Sequence, residues 1–503
     1  MLAWTIYISF LGAGAMLLLP NRAAKTGVRC LALFTATAGF GIALSAFLRH
    51  RTGEFFTVTD IDWIPALGIH YHLAADGISL SLVLLTGIVA VAGVLFSWDI
   101  DDRTNQFFAF YLLLIGAVYG VFLSYDLFLL FVFYEIVIIP KYFLIANWGS
   151  TRREYGAMKL AIYSFVGSAM VLVGLIAAFV AAGSQSMSLD YLAGSHFTAA
   201  FQLVAFPVVF IGFAILAGLW PFHTWAPTGH VAAPTAASML LAGVVMKLGA
   251  YGCLRVAMTL FPLGLQPWSH HVLGFASWRE VFAVLAVVGI IYGALVALVQ
   301  RDFKFVIGYS SVSHMGFILL GLMTINLIGV SGAIIQMISH GLIAGLLFAV
   351  VGRMVYARTH TRELNALGPM NLSRLLPFAA VTFILAGMAG MGLPGFSGFV
   401  AELMIVLGAW GAFPALALCV GFGILIGIVY VWRAMQKAFF AEPDREAPPP
   451  HSLQPISLPE KLAAFLLIAS SVAVGLYPQM VLNIIQPALN SPLFAGLRHG
   501  GWQ

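Results

Sequence analysis

PFHTWAPTGHVAAPTAASMLLAGVVMKLGAYGCLR, residues Pro221 to Arg255, joins two unlike textures. The first half is punctuated by Pro221, Pro227 and Pro234 and carries His223 and His230. The second half is largely apolar, with one charge, Lys247, near its middle and another, Arg255, at its end. An apolar run of about twenty residues is the length a helix needs to cross roughly 30 Å of hydrocarbon. Proline removes a backbone donor, and irregular backbone at membrane depth is tolerated only where it is buried in protein or lines a wet cavity. An ionised side chain at the centre of a span costs roughly 2.5–3.5 kcal/mol on insertion scales. The stretch therefore predicts a membrane helix preceded by a functional break, with a charge held at mid-depth for a purpose.

The same texture extends over the whole chain. Of 503 residues, 61% are hydrophobic and only 9% charged, which excludes a water-soluble globule. Apolar runs near 3–20, 29–48, 76–98, 107–125, 127–147, 157–182, 201–220, 233–258, 279–299, 305–323, 328–354, 375–408, 411–436 and 460–486 predict fourteen transmembrane helices. Barrel strands would alternate in polarity instead. No segment has the pattern of a cleaved secretory signal, so the first helix is expected to stay in the mature protein. The net charge of +5 does not point to nucleic acid, because the basic residues sit in short loops between spans. About 17 Lys and Arg fall in loops after odd-numbered helices, against about four in the other loops and tails. The positive-inside rule then places the odd loops in the cytoplasm and both termini outside. Cys30, Cys253 and Cys419 lie in or beside apolar helices without metal-ligand spacing, and no phosphate loop or nucleophile elbow is present.

The longest polar stretch, Ala441 to Pro459, is too short to divide domains, so residues 1–503 are expected to form one polytopic membrane domain. Within it, helix seven (201–220) is interrupted at Leu219-Trp220-Pro221-Phe222-His223 and helix twelve (375–408) at Gly390-Met391-Gly392-Leu393-Pro394-Gly395. The two breaks take matching places in two five-helix units, 107–258 (helices four to eight) and 279–436 (helices nine to thirteen). Such symmetry predicts an inverted-repeat transporter with its ion path near the breaks.

Once loops are set aside, Glu135, Lys141, Lys247, Arg255 and Glu402 remain as ionised residues inside spans. Arg255 lies near a helix end, from which it is expected to snorkel to the interface. The other four are expected to form a relay, because buried carboxylates and amines exchange protons according to the charge of their neighbours. His223 and His230 at the first break, His314 in helix ten (305–323) and His340 in helix eleven (328–354) supply intermediate stations, since imidazole titrates near neutral pH. His70, His72, His270 and His271 fall in loops and carry no such argument.

These residues also carry a resemblance. The Pro221–Arg255 stretch, DFKFVIGYSSVSHMGF (Asp302–Phe317), MISHGLIAGLLF (Met337–Phe348) and GMGLPGFSGFVAEL (Gly390–Leu403) resemble the M-type antiporter-like subunits of NADH:quinone oxidoreductase, respiratory complex I. YEIVIIPKYFLIANWG (Tyr134–Gly149) and HLAADGISL (His72–Leu80) extend the likeness, which covers about residues 70 to 440. The SSVSHMGF form and the lack of a long lateral helix at the end favour the M type over the L type. Related chains build Mrp-type cation/proton antiporters and the membrane arms of energy-converting hydrogenases.

The resemblance implies a proton-translocating membrane-arm subunit driven by quinone reduction elsewhere. It would sit in a bacterial inner membrane beside L-type and N-type antiporter-like chains and small membrane subunits. It implies no cofactor in this chain; flavin, iron-sulfur clusters and quinone belong to partner subunits. On it, Glu135 matches the helix-five glutamate, Lys247 the central lysine of helix eight (233–258) and Glu402 the terminal glutamate of helix twelve. His223, His230, His314 and His340 match the buried histidines. One departure stands out: where the family has a lysine in helix seven, this chain has Leu216, and it carries Lys141 in helix five (127–147) where the family is commonly apolar.

Overall fold

The computed structural model describes residues 1–19, 25–50, 52–268, 274–442 and 453–498. Among them, twelve helices are long and apolar enough to cross a membrane: Lys25–Arg49, Gly77–Phe96, Thr104–Leu123, Leu127–Trp148, Arg153–Ala181, Ala199–Ala232, Thr235–Met258, Trp278–Val299, Phe303–Met323, Leu327–Thr359, Pro414–Phe439 and Leu458–Leu476. Each falls where a span is predicted, and the chain is a multi-pass membrane protein. The first and twelfth predicted spans are occupied by shorter apolar helices, Trp4–Leu18 and the pair Pro377–Gly390 and Ser397–Ala412. Full-length helices therefore number fewer than the fourteen predicted spans.

Several helices start where the sequence places an aspartate. Asp76, Asp126 and Asp302 each accept two backbone N–H groups at the head of the helix that follows, satisfying donors that a helix start leaves unpaired. One correction concerns regular structure. The helix predicted over 460–486 is divided into Leu458–Leu476 and Gln479–Leu489, because Pro478 cannot donate and Tyr477 turns out of the helical region. The structure is also not wholly helical: short antiparallel pairs join Phe56–Thr59 to Leu73–Ala75 and Asp62–Ile64 to Ile69–His70. They close the long connection before Gly77 by satisfying its backbone groups.

At the centre stand Thr235–Met258 and Leu327–Thr359, whose most apolar windows are 100% buried, whereas that of Pro414–Phe439 is only 28% buried and that of Lys25–Arg49 33%. The two central helices cross at glycines. A Cβ on Gly243 would lie 3.1 Å from the Gly341 carbonyl oxygen, and one on Gly341 would lie 2.6 Å from the Gly243 carbonyl oxygen. Only small residues allow membrane helices to approach so closely.

Loops after the odd-numbered predicted spans gather on one face. Lys25 and Arg29 bond Asp101, Trp148 bonds the Asp102 carbonyl, Arg353 bonds Asp99 and Arg362 bonds Ser150. The Lys25 ammonium foremost, with Arg29 behind it, holds the Asp101 carboxyl below its usual range. The opposite face carries the strands, the contact of Tyr125 with Asp190 and that of Asn326 with the Gly408 carbonyl. The 441–459 loop lies mostly outside the described residues, as do His270 and His271.

Candidate functional site

The crossing of Gly243 and Gly341 brings Lys247 to His340. The Lys247 Nζ lies 2.6 Å from the His340 Nδ1 and also reaches the Ala242 carbonyl. That carbonyl belongs to a wider π-helical turn, Leu241–Val245, which ends two residues before the lysine. π-turns inside α-helices release carbonyls from the regular ladder and are frequent at functional sites. Both side chains are buried, and no carboxylate within ion-pair distance partners the lysine among the described residues. An ammonium donating to Nδ1 requires that nitrogen to be bare, so Lys247 and His340 hold one proton between them along this contact.

From His340 the polar file continues. The His314 ring centroid lies 5.4 Å from that of His340. The His314 Nδ1 lies 3.4 Å from the Glu402 Oε1 and 3.1 Å from the Gln336 Nε2. Glu402 is placed by the second break. Gly392 and Gly395 take φ of +71° and +98°, which turns the chain between Pro377–Gly390 and Ser397–Ala412. A Cβ on Gly392 would meet the Glu402 Oε2 at 2.8 Å, so glycine there lets the carboxylate lie against the unwound backbone. Lys247, His340, His314 and Glu402 thus line up across four helices, the last of them following the second break.

The remaining predicted residues make no hydrogen bond or ion pair to that line among the described residues. His230 is fully buried, with its ring beside Trp225 and Phe348 and neither ring nitrogen bonded. His223 is buried edge-on to Tyr292, again with both nitrogens unpartnered. Buried polar atoms without protein partners mark places where water fits the chemistry. In helix five, Pro140 leaves the Ile136 carbonyl without its in-helix donor, and the helix divides into Leu127–Ile136 and Ile138–Trp148. Glu135 on the first half has an unpartnered Oε1, while the buried Lys141 on the second half donates to the Ser164 hydroxyl at 2.9 Å. No ion pair joins Glu135 and Lys141. Leu216 is buried, with its backbone against Gly249, two residues beyond Lys247.

Arg255 corrects the sequence expectation. It does not snorkel; it is 3% exposed and pairs with Asp76 at 2.6 Å across 179 positions of sequence. A guanidinium near a helix end is held inside because a carboxylate capping another helix meets it there. Sequence reasoning also passed over Lys304, assigned to a loop edge. It is buried in the first turn of Phe303–Met323 and donates to the Ala233 and Val231 carbonyls at 2.7 and 3.3 Å. Those carbonyls end the Trp225–Ala232 helix, where a cation is favourable. Gln336 was likewise missed, although its place four residues before His340 puts both on one helix face.

Residues 124–427 match the family model described as "NADH:quinone oxidoreductase/Mrp antiporter, TM". The chain is 35% identical over 497 residues to the NADH-quinone oxidoreductase subunit M of Rhodobacter capsulatus, covering 95% of this chain and 94% of that one. It is 35% identical over 488 residues to an NAD(P)H-quinone oxidoreductase chain 4 of Synechococcus elongatus, covering 95% and 89%. Among solved structures it resembles a chain of respiratory complex I from Thermus thermophilus with bound NADH, at 26% identity and a TM-score of 0.85 over 98% of this chain and 100% of that one. A chain of the Mrp complex from Dietzia sp. shares the fold, with 20% identity and a TM-score of 0.83 over 99% of each. With the family model spanning more than half of its length and such relatives along nearly all of it, the chain belongs to the NADH:quinone oxidoreductase/Mrp antiporter family of membrane proteins.

Proposed function

We propose that this protein is a proton-translocating membrane-arm subunit of a complex I-like quinone oxidoreductase. The observation that carries this reading is the line Lys247–His340–His314–Glu402, made of groups that exchange protons, with Lys247 and His340 on the two most deeply buried helices. A proton shared by Lys247 and His340 passes to His314 and then to Glu402 when the lysine is pulled or pushed by a changing neighbour charge. In this reading Glu135 and Lys141 are that neighbour, with His223 and His230 leading water to the centre. Units 107–258 and 279–436 act as two inverted repeats, one feeding Lys247 and one discharging through Glu402. Lys141 supplies the amine that a lysine at position 216 supplies elsewhere; its buried ammonium, held by Ser164 alone among the described residues, favours a charge on Glu135.

The chain itself performs no redox step. Flavin, iron-sulfur clusters and quinone belong to other subunits, and neighbouring antiporter-like chains are its partners in the membrane arm. It lies in a bacterial inner membrane, with the basic face cytoplasmic and both termini outside. The nearly complete overlay with a chain of an Mrp complex supports a second reading, a cation/proton antiporter subunit without redox partners. Gentle extraction from native membranes separates the two. Co-purification with quinone reductase activity and further antiporter-like chains is expected; recovery with Mrp-type chains and no quinone reduction would overturn the first reading in favour of the second.

A further inference from the structure

Gln336 occupies a position that the line of charges does not explain. It is 1% exposed, its Nε2 lies 3.1 Å from the His314 Nδ1, and its Oε1 has no partner. The same Nδ1 lies 3.4 Å from the Glu402 Oε1. One ring nitrogen therefore faces a donor and an acceptor together. A bare Nδ1 accepts from the amide and has nothing to give Glu402; a protonated Nδ1 gives to Glu402 and is repelled by an N–H pointed at it. The terminal torsion of glutamine is broad and roughly two-fold, and its oxygen and nitrogen differ little in shape. Turning the amide over would bring the unpartnered Oε1 to Nδ1, replacing one hydrogen bond with another.

We propose that Gln336 is a positioning residue whose amide selects the tautomer of His314 and so makes the step from His314 to Glu402 one-way. With Oε1 toward the ring, Nδ1 keeps its hydrogen. A proton arriving at Nε2 from the His340 side makes the ring an imidazolium. The Nδ1–H bond then breaks and an O–H bond forms on Glu402. His314 is left neutral with its hydrogen on Nε2 and a lone pair on Nδ1. The amide turns, and its Nε2–H occupies that lone pair, which is the contact present in the structure. While this bond lasts, Glu402 has no base to return its proton to. The next cycle begins when the amide turns back: with Oε1 facing the bare Nδ1, the neutral ring changes tautomer, its N–H bond at Nε2 breaking as an N–H bond forms at Nδ1, which frees Nε2 to accept the next proton.

The inference rests on the proton-relay reading, and the test separates the two. The intact complex is reconstituted in sealed vesicles, and the proton-to-electron ratio is measured without and with an opposing proton gradient. Gln336→Leu removes both amide functions. It is expected to lower the ratio modestly without a gradient and by roughly tenfold against one, about the worth of one hydrogen bond. Gln336→Glu keeps the shape and the acceptor but loses the donor, and should show the same gradient-dependent loss if the leucine variant fails to assemble. An assembled variant of either kind with the wild-type ratio at every gradient, or with a loss independent of gradient, overturns the role of Gln336. His314→Ala reports on the relay itself: a wild-type ratio in that variant would sink the reading beneath the proposal instead.

Discussion

Lys247 and Glu402 stand out in the sequence for one physical reason: a charge in the middle of an apolar run is costly, so it is kept for a purpose. What the sequence could not supply was their company. His340 lies 93 positions from Lys247 and Asp76 lies 179 from Arg255, separations that only the fold closes. Lys304 escaped notice because a helix start was drawn one residue beyond it. At Glu402, charge and shape can be separated. Glu402→Gln is expected to reduce coupled translocation in vesicles, with Glu402→Asp doing less harm; equal loss in both would point to packing. Gly392 and Gly395 make a sharper pair. Both take positive φ, so alanine at either costs about 1–3 kcal/mol of strain. Only at Gly392 would the new methyl strike Glu402, since nothing lies within 4 Å of a Cβ at Gly395. Gly392→Ala should therefore lose translocation that Gly395→Ala keeps, at matched thermal stability. Equal translocation in both would show that the contact with Glu402 is idle.

Helix breaks were predictable because proline and glycine act locally. The interruptions after Ala217 and Gly390 fall in the segments where the sequence placed them. The division at Tyr477 was missed, because one proline beside an otherwise apolar run looks like a kink. In the fifth span, Pro140 separates Glu135 from Lys141 and turns the lysine toward Ser164 on the next helix. If Lys141 supplies the amine absent at Leu216, Lys141→Met should lose pumping and the added change Leu216→Lys should restore it. Position 216 suits the rescue, since it lies against the helix that carries Lys247. A single variant that pumps normally, or an assembled double variant that stays inactive, would show that Lys141 serves another purpose.

Across the molecule, the arrangement is one of rigid clamps around a polar centre. Glu460, its side chain 1% exposed, receives both Arg353 and Arg358 and pins the Leu458–Leu476 helix to the basic face. Removing one member of a fully buried pair costs about 3–5 kcal/mol; here Arg353 keeps Asp99 and Arg358 keeps the Gln454 and Pro455 carbonyls, so the cost falls at or below about 3 kcal/mol. Glu460→Gln is therefore expected to lower the thermal stability of the detergent-solubilised protein by that order, while a conservative Leu462→Ile on the exposed side of the same helix should change little. An unchanged melting temperature in Glu460→Gln would mean that the arginines are satisfied elsewhere. The clamps hold two helices with fully buried central stretches against each other, and everything proposed for the protein depends on the one contact they present, Lys247 on His340. In sealed vesicles holding the intact complex, Lys247→Ala should assemble and still reduce quinone while moving fewer protons per electron. A wild-type proton-to-electron ratio in that variant would contradict the relay.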